Sequence, residues 1–304
     1  MNVKKFSGLG VAMVTPFLPS GALDVKSLHR LLEHLLAEGA DYIVVHGTTG
    51  ESPCLTRSER DEVTDIVVEH VGGRIPIVVG LGGNDTLETS ARLRQMRSEG
   101  IDAILSVVPY YNKPSQEGLY QHYRHLSEAS PLPIILYNVP GRVGINMLPD
   151  TVVRLAEDCH NIIGIKEASG FVAQAEQVTS LLSSDQFVVL SGDDALSVPF
   201  MKVGARGVIS VLGNAYTRLM RELIHLGLEG KMNEADLIQT KLRQVNNYLF
   251  ANGNPAGIKA LLYQMRLIDH QQLRLPLTPV TPEVYLSLEH ERRLLDDYIA
   301  EHKA

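Results

Sequence analysis

The residues best suited to chemistry stand where apolar runs end. Lys166 closes the run Ile162-Ile163-Gly164-Ile165. Strand alternation sets Ile162, Gly164 and Lys166 on one face and Ile163 and Ile165 on the other. If the isoleucine pair meets helices, the amine points into a protected interior, where the neutral form able to attack a carbonyl gains population. Gly164 beneath it is expected to leave space for a ligand. Tyr137 shares a strand face with Ile135 and offers a phenol that passes protons while resting neutral, provided a hydroxyl such as that of Thr48 orients it. Arg142, a few residues on, is a fork-shaped donor for a carboxylate. Thr48, Thr49 and Gly50 could cradle a second carboxylate with hydroxyls and amides. Singly, each has an ordinary explanation: a lysine snorkelling or paired with Glu167, a packed tyrosine, a solvated arginine, a two-threonine turn. Jointly they describe a site for a keto acid.

These groups need elements to position them. Apolar runs bounded by turn residues predict strands near 8–16, 41–47, 75–81, 102–109, 133–139, 162–168, 186–192 and 205–212. Several are apolar on both faces, as buried parallel strands are, and each interval has room for a helix. Eight such units predict an α/β fold, a (β/α)8 TIM barrel, whose active site lies at the C-terminal ends of its strands. Leu28, Leu31, Leu32, Leu35 and Leu36 form one core-facing helical stripe, with Asp24 as its cap and Gly39 as its stop. Ser58 with Asp61 is expected to open the second helix, and Thr86 the third. Beyond residue 215 no strand is predicted; helices near 217–228, 232–250, 255–267 and 281–303 give a C-terminal extension. The expected division is a catalytic barrel over 1–228 and a helical region over 229–304. A doubly wound dinucleotide fold is disfavoured, because the run from Gly80 through Gly82 and Gly83 has Asp85 where the third fingerprint glycine belongs.

The chain has 304 residues, 44% hydrophobic and 21% charged, with a formal charge of −7 and no tryptophan. That is enough apolar content for a large core, and it offers no basic footprint for nucleic acid or anionic membrane. Cys54 and Cys159 stand far apart, as in a reduced cytoplasmic protein. The apolar N-terminal stretch is broken by Gly8, Gly10 and Pro16, so it reads as a strand rather than a signal peptide. No uncharged run reaches the roughly 18 residues a membrane helix needs.

The GTTGE run at 47–51, PYYNKPSQEGLYQHY at 109–123, YNVPGR at 137–142, GIKEASG at 164–170, SGDD at 191–194 and GVISV at 207–211 resemble the dihydrodipicolinate synthase (4-hydroxy-tetrahydrodipicolinate synthase) family of pyruvate-dependent class I aldolases. The resemblance covers essentially the whole chain. It implies a barrel that assembles as a homotetramer and condenses pyruvate with aspartate-4-semialdehyde in lysine biosynthesis. By that likeness Lys166 forms a Schiff base with pyruvate and Tyr137 donates and accepts protons. Thr48 and Tyr111 complete the relay, the second tyrosine reaching in from a neighbouring subunit. Thr49 and Gly50 hold the pyruvate carboxylate, Ile209 contributes backbone on the opposite wall, and Arg142 binds the semialdehyde carboxylate. No cofactor and no metal is implied, because the protonated imine is the electron sink. N-acetylneuraminate lyase and the 2-keto-3-deoxy-sugar-acid aldolases share the lysine and tyrosine, and Arg142 favours the synthase over them.

Two departures stand out. The stretch Asn254-Pro255-Ala256-Gly257-Ile258-Lys259 replaces the family's NPIPVK and is expected to touch none of the catalytic groups. Asn84, Glu88 and Tyr110 match the family's lysine-inhibitor pocket, yet Arg57 and Arg60 stand where inhibited members often carry histidines. Two cations oppose an ammonium ligand, so weak or absent feedback inhibition is expected. A metal-dependent aldolase lacks support in the motifs, and His122 and His125 are expected to be solvated or at a dimer contact. A ligand-sensing barrel with a dead site is the non-enzymatic rival.

Overall fold

The computed structural model describes residues 3–301. The expected helix over 281–303 is therefore followed only to Glu301, its last two positions lying outside the described residues. Eight strands form: β1 Gly8–Ala12, β2 Tyr42–Val45, β3 Ile77–Gly80, β4 Ala103–Val107, β5 Ile134–Asn138, β6 Ile162–Glu167, β7 Val188–Ser191 and β8 Gly207–Ser210. They close in sequence order into one parallel barrel, β8 returning to β1 through pairs from Gly8↔Gly207 to Val11↔Ser210. Nearly every strand residue is buried, because helices cover the outer face while side chains fill the inside.

The helices are α1 Val25–Ala37, α2 Arg57–Val71, α3 Thr86–Gln95, α4 Gln116–Ala129, α5 Pro140–Val143, α6 Pro149–Asp158, α7 Val172–Leu181, α8 Ser197–Lys202, α9 Thr217–Leu228, α10 Met232–Ala251, α11 Ala256–Gln264 and α12 Pro282–Glu301. Leu28, Leu31, Leu32 and Leu35 of α1 are fully buried, each worth about 1.5–3 kcal/mol relative to exposure. Asp24 caps α1 by accepting from the Ser27 amide at 3.0 Å, as expected. Two other expected caps are corrected. A reciprocal capping box of Thr56 and Glu59, not Ser58 with Asp61, opens α2, and Asp85 rather than Thr86 caps α3. In both, an oxygen one or two residues nearer the loop reaches the free amides first.

The expected strands run past the observed ones at their C-terminal ends. There the backbone leaves the ladder and is satisfied by side chains. The Val14 amide donates to Asn214 Oδ1 at 3.1 Å, and the Val211 and Leu212 amides donate to the Asp194 carboxylate, each at 2.9 Å. Helices α10, α11 and α12 share one continuous apolar core with the barrel, through residues such as Leu242, Leu261 and Leu288. They bring the end of α10 over the open ends of the strands.

Candidate active site

Tyr137 and Lys166 are register partners across β5 and β6. The pairing puts phenol and amine side by side near the C-terminal ends of their strands, where barrels of this kind work. Lys166 Nζ lies 4.4 Å from the centroid of the Tyr137 ring, and the two residues are 5% and 6% exposed. Glu167 does not neutralise the amine. Its carboxylate accepts from Asn138 Nδ2 at 2.9 Å, Gln174 Nε2 at 2.8 Å and the Ser169 amide at 2.6 Å. Among the described residues Lys166 makes no ion pair, so burial leaves it without a counter-charge. The space expected beneath it at Gly164 is absent. A Cβ there would stand 2.5 Å from Val188 Cγ1 and 2.6 Å from the Val188 carbonyl oxygen, so the glycine serves close packing of β6 on β7.

Thr48 Oγ1 lies 3.4 Å from the Tyr137 hydroxyl, either atom able to donate. Thr48, Thr49 and Gly50 form one short turn between two residues with left-handed backbone, His46 at φ 59° and Glu51 at φ 53°. Such strain persists only where neighbours hold it. Thr15 Oγ1 donates to the Gly50 carbonyl at 2.8 Å, and Asn254 Nδ2 donates to Thr49 Oγ1 at 2.9 Å. The Glu51 carboxylate, wholly buried, pairs with Lys259 Nζ and accepts the Arg274 amide at 3.0 Å. Burial pushes the Lys259 ammonium down to about 8, against the stabilising field of Glu51.

Residues 254–259, expected to touch none of the catalytic groups, do reach Thr49, the residue matched to carboxylate binding. Asn254 holds a site threonine and Lys259 anchors the loop that carries it. Gly257 has its own reason: a Cβ there would lie 2.3 Å from the Leu249 carbonyl oxygen, where α11 starts against α10.

Thr48, Thr49, Tyr137, Arg142, Lys166 and Asn254 line one cavity of about 730 Å³. Arg142, on α5, is exposed and makes no ion pair among the described residues, so its guanidinium is free to take an anion. Ile209 is fully buried in β8, and Val211, two residues nearer the strand end, meets the cavity instead. Tyr111 is not brought in. It is 90% exposed on a left-handed backbone at φ 72°, and it does not meet Tyr137 or Thr48 of its own chain.

Of the residues matched to an inhibitor pocket, Asn84 Nδ2 donates to the Tyr110 carbonyl at 3.1 Å, and Tyr110 lines an adjoining cavity of about 380 Å³ with Thr48, Tyr137 and Arg142. Glu88 lies 3.7 Å from Arg92. Arg57 lines a different cavity, between α2 and α3, and Arg60 lines both. His122 is buried rather than solvated, bonded to Thr86 Oγ1 at 2.9 Å and pushed by burial to about 4. Among the described residues no group of three or more His, Cys, Asp or Glu side chains is placed to hold a metal ion.

A family model described as the dihydrodipicolinate synthetase family matches residues 5–293. A relative from Porphyromonas gingivalis named 4-hydroxy-tetrahydrodipicolinate synthase is 54% identical over 277 residues, covering 91% of this chain and 93% of its own. The solved 4-hydroxy-tetrahydrodipicolinate synthase of Methylacidiphilum fumariolicum SolV is 40% identical with a TM-score of 0.93, covering 97% of this chain and 98% of that one. A structure described as a monomeric dihydrodipicolinate synthase variant is also 40% identical, with a TM-score of 0.92 over 96% of this chain and 97% of its own.

Proposed function

The chain belongs to the dihydrodipicolinate synthetase family, and from that premise we propose that Lys166 and Tyr137 carry its chemistry. The protein is a lyase that condenses pyruvate with aspartate-4-semialdehyde in lysine and diaminopimelate biosynthesis, a reading favoured over the sugar-acid aldolases and the dead-site sensor. The observation that carries the assignment of roles is the buried amine without a counter-charge beside a phenol that a threonine hydroxyl orients.

Lys166 Nζ attacks the ketone carbon of pyruvate, and the carbinolamine loses water to an imine as Tyr137 supplies and removes protons. Loss of a methyl proton gives the enamine, whose carbon attacks the aldehyde. The amine of the semialdehyde then attacks the imine carbon, closes the ring and releases Lys166. Thr48 relays protons from Tyr137, Thr49 and Gly50 hold the pyruvate carboxylate, the chain just past Ile209, where Val211 meets the cavity, forms the far wall, and Arg142 takes the carboxylate of the second substrate.

Tyr111, solvent-facing on its own chain, supports a proton relay completed by a neighbouring copy and hence a tetramer built from dimers. A division between barrel and extension after residue 228 fits the end of α9. Among the described residues no helix is long and apolar enough to cross a membrane, and a cytoplasmic location fits a biosynthetic role. Arg57 and Arg60 support weak or absent inhibition by lysine; a rate halved by millimolar lysine would overturn that.

Borohydride reduction tests the central assignment. Pyruvate with borohydride is expected to add one reduced pyruvyl group, mapped by peptide mass spectrometry to Lys166. Addition at another lysine, or none, refutes it.

A further inference from the structure

The cavity between α2 and α3, about 310 Å³ in volume, does not include Lys166 or Tyr137 in its walls. Toward the strand tips it is lined by Arg57, Arg60 and Arg92. Arg60 donates to the Ser52 and Leu55 carbonyls at 3.3 Å and 3.0 Å, and Arg57 to the Gln95 side chain at 3.4 Å. Neither makes an ion pair among the described residues, and Arg92 reaches only Glu88, at 3.7 Å. Asp61 shares the wall and its field favours the Arg60 charge, but among the described residues it makes no ion pair. At the opposite end Arg97 is already matched by Asp65 at 3.2 Å and Glu99 at 3.8 Å. Positive charge is therefore in excess at one end only. Burial, and then the field of Arg92, push the Arg60 guanidinium below its ordinary value.

The cavity also adjoins the catalytic mouth. His46, Arg60 and Arg92 line both it and the space bounded by Thr48, Tyr137 and Arg142. His46, 5% exposed and immediately before Gly47, is pushed to about 4 by burial and so adds no positive charge at neutral pH. Forked guanidinia that are short of partners suit an oxyanion with several charged oxygens.

We propose that this cavity is a binding site for a small dianion, held by Arg60 and Arg92 with Arg57 at its rim, and that its occupancy is felt by the Thr48 loop through their shared wall. The proposal does not depend on the roles assigned to Lys166 and Tyr137. A phosphate group and a dicarboxylate present the same chemistry, and the test separates them.

The protein and its Lys166→Ala variant are titrated calorimetrically with inorganic phosphate and, separately, with succinate, at ionic strength held constant with chloride. Saturable binding of at least one probe to both proteins is expected, and which probe binds identifies the source of the charge. Arg92→Gln is expected to weaken it about tenfold, the loss of roughly one charge-assisted contact. Arg57→Gln, on an exposed first-turn position, provides a second variant and is expected to weaken binding less. No saturable binding of either probe, or unchanged affinity in both variants, overturns the proposal. Binding that survives in Lys166→Ala while borohydride trapping fails would leave this site standing and the catalytic assignment fallen.

Discussion

Among the described residues two lysines are buried, and their surroundings set a candidate reactive wall apart from a structural seam. On the wall formed by β5 and β6, Lys166 faces the Tyr137 ring at 4.4 Å and makes no ion pair among the described residues. In the seam between the barrel and the C-terminal helices, Lys259 also lies over an aromatic ring, that of Phe17 at 4.2 Å, but it is paired with Glu51 and donates to the Gln272 carbonyl at 2.9 Å. Burial and aromatic contact are common to both. The paired carboxylate is the difference: it makes Lys259 a tether, while Lys166, without one, fits the nucleophile proposed above.

The largest expected effect breaks the comparison if it fails. Lys166→Met should lower the rate of condensation by a factor on the order of 10⁴ or more, as loss of a covalent nucleophile does, while leaving urea-unfolding stability unchanged or higher, since no partner is orphaned. Lys259→Met should do the reverse. It strands the Glu51 carboxylate in the interior and is expected to cost about 3–5 kcal/mol of stability, which Glu51→Gln in the same chain should largely restore. Equal loss of stability in the two single variants would show that the division between wall and seam is false.

A smaller effect sharpens the comparison, because the seam reaches the site through Asn254. Asn254→Ala removes the donor to Thr49 Oγ1, a contact worth about 1 kcal/mol. The KM for pyruvate is expected to rise about fivefold with kcat nearly unchanged. A fall in kcat at constant KM would place Asn254 in the chemical step instead.

The wall was legible in the sequence and the seam was not, for a physical reason. Alternation within Ile162–Glu167 and within Ile134–Asn138 is local, so the side chains sharing a face follow from counting by two. Burial on both faces made the strands themselves readable as continuous apolar runs. The contacts of Asn254 with Thr49 and of Lys259 with Glu51 span 205 and 208 residues, and no periodicity records a partner at that distance. Ala256-Gly257-Ile258 stood out as a departure from a motif that keeps Asn254, Pro255 and Lys259, but a motif says nothing of what its side chains touch. Gly164 failed differently: a missing side chain reads equally as room for a ligand or as a neighbour's approach, and Val188 decides between them. Tyr111 was readable as a motif residue, while its exposure on the single chain depends on loop geometry around a left-handed residue.

The smallest effect concerns the outer edge of the seam, where Arg274 pairs with Glu59 and holds its carboxyl down to about 2 from an ordinary 4.5. A carboxyl depressed in the folded state adds stability that is present above about 4.5 and lost as pH falls through about 2, because the unfolded chain takes up the proton first. Both side chains keep some solvent exposure, 22% for Glu59 and 19% for Arg274, so the contribution should be about 1 kcal/mol or less. Glu59→Gln isolates the charge, since glutamine can still serve the capping box with Thr56. The variant is expected to be less stable than the unaltered protein at about pH 7, with the gap reduced to roughly half at about pH 3, by urea unfolding at each pH. A stability gap of the same size at both would mean that the seam is held there by shape and hydrogen bonding rather than by charge. Lys259, with its own carboxylate further inside, would then carry the ion pair by which the seam holds the Thr48 loop.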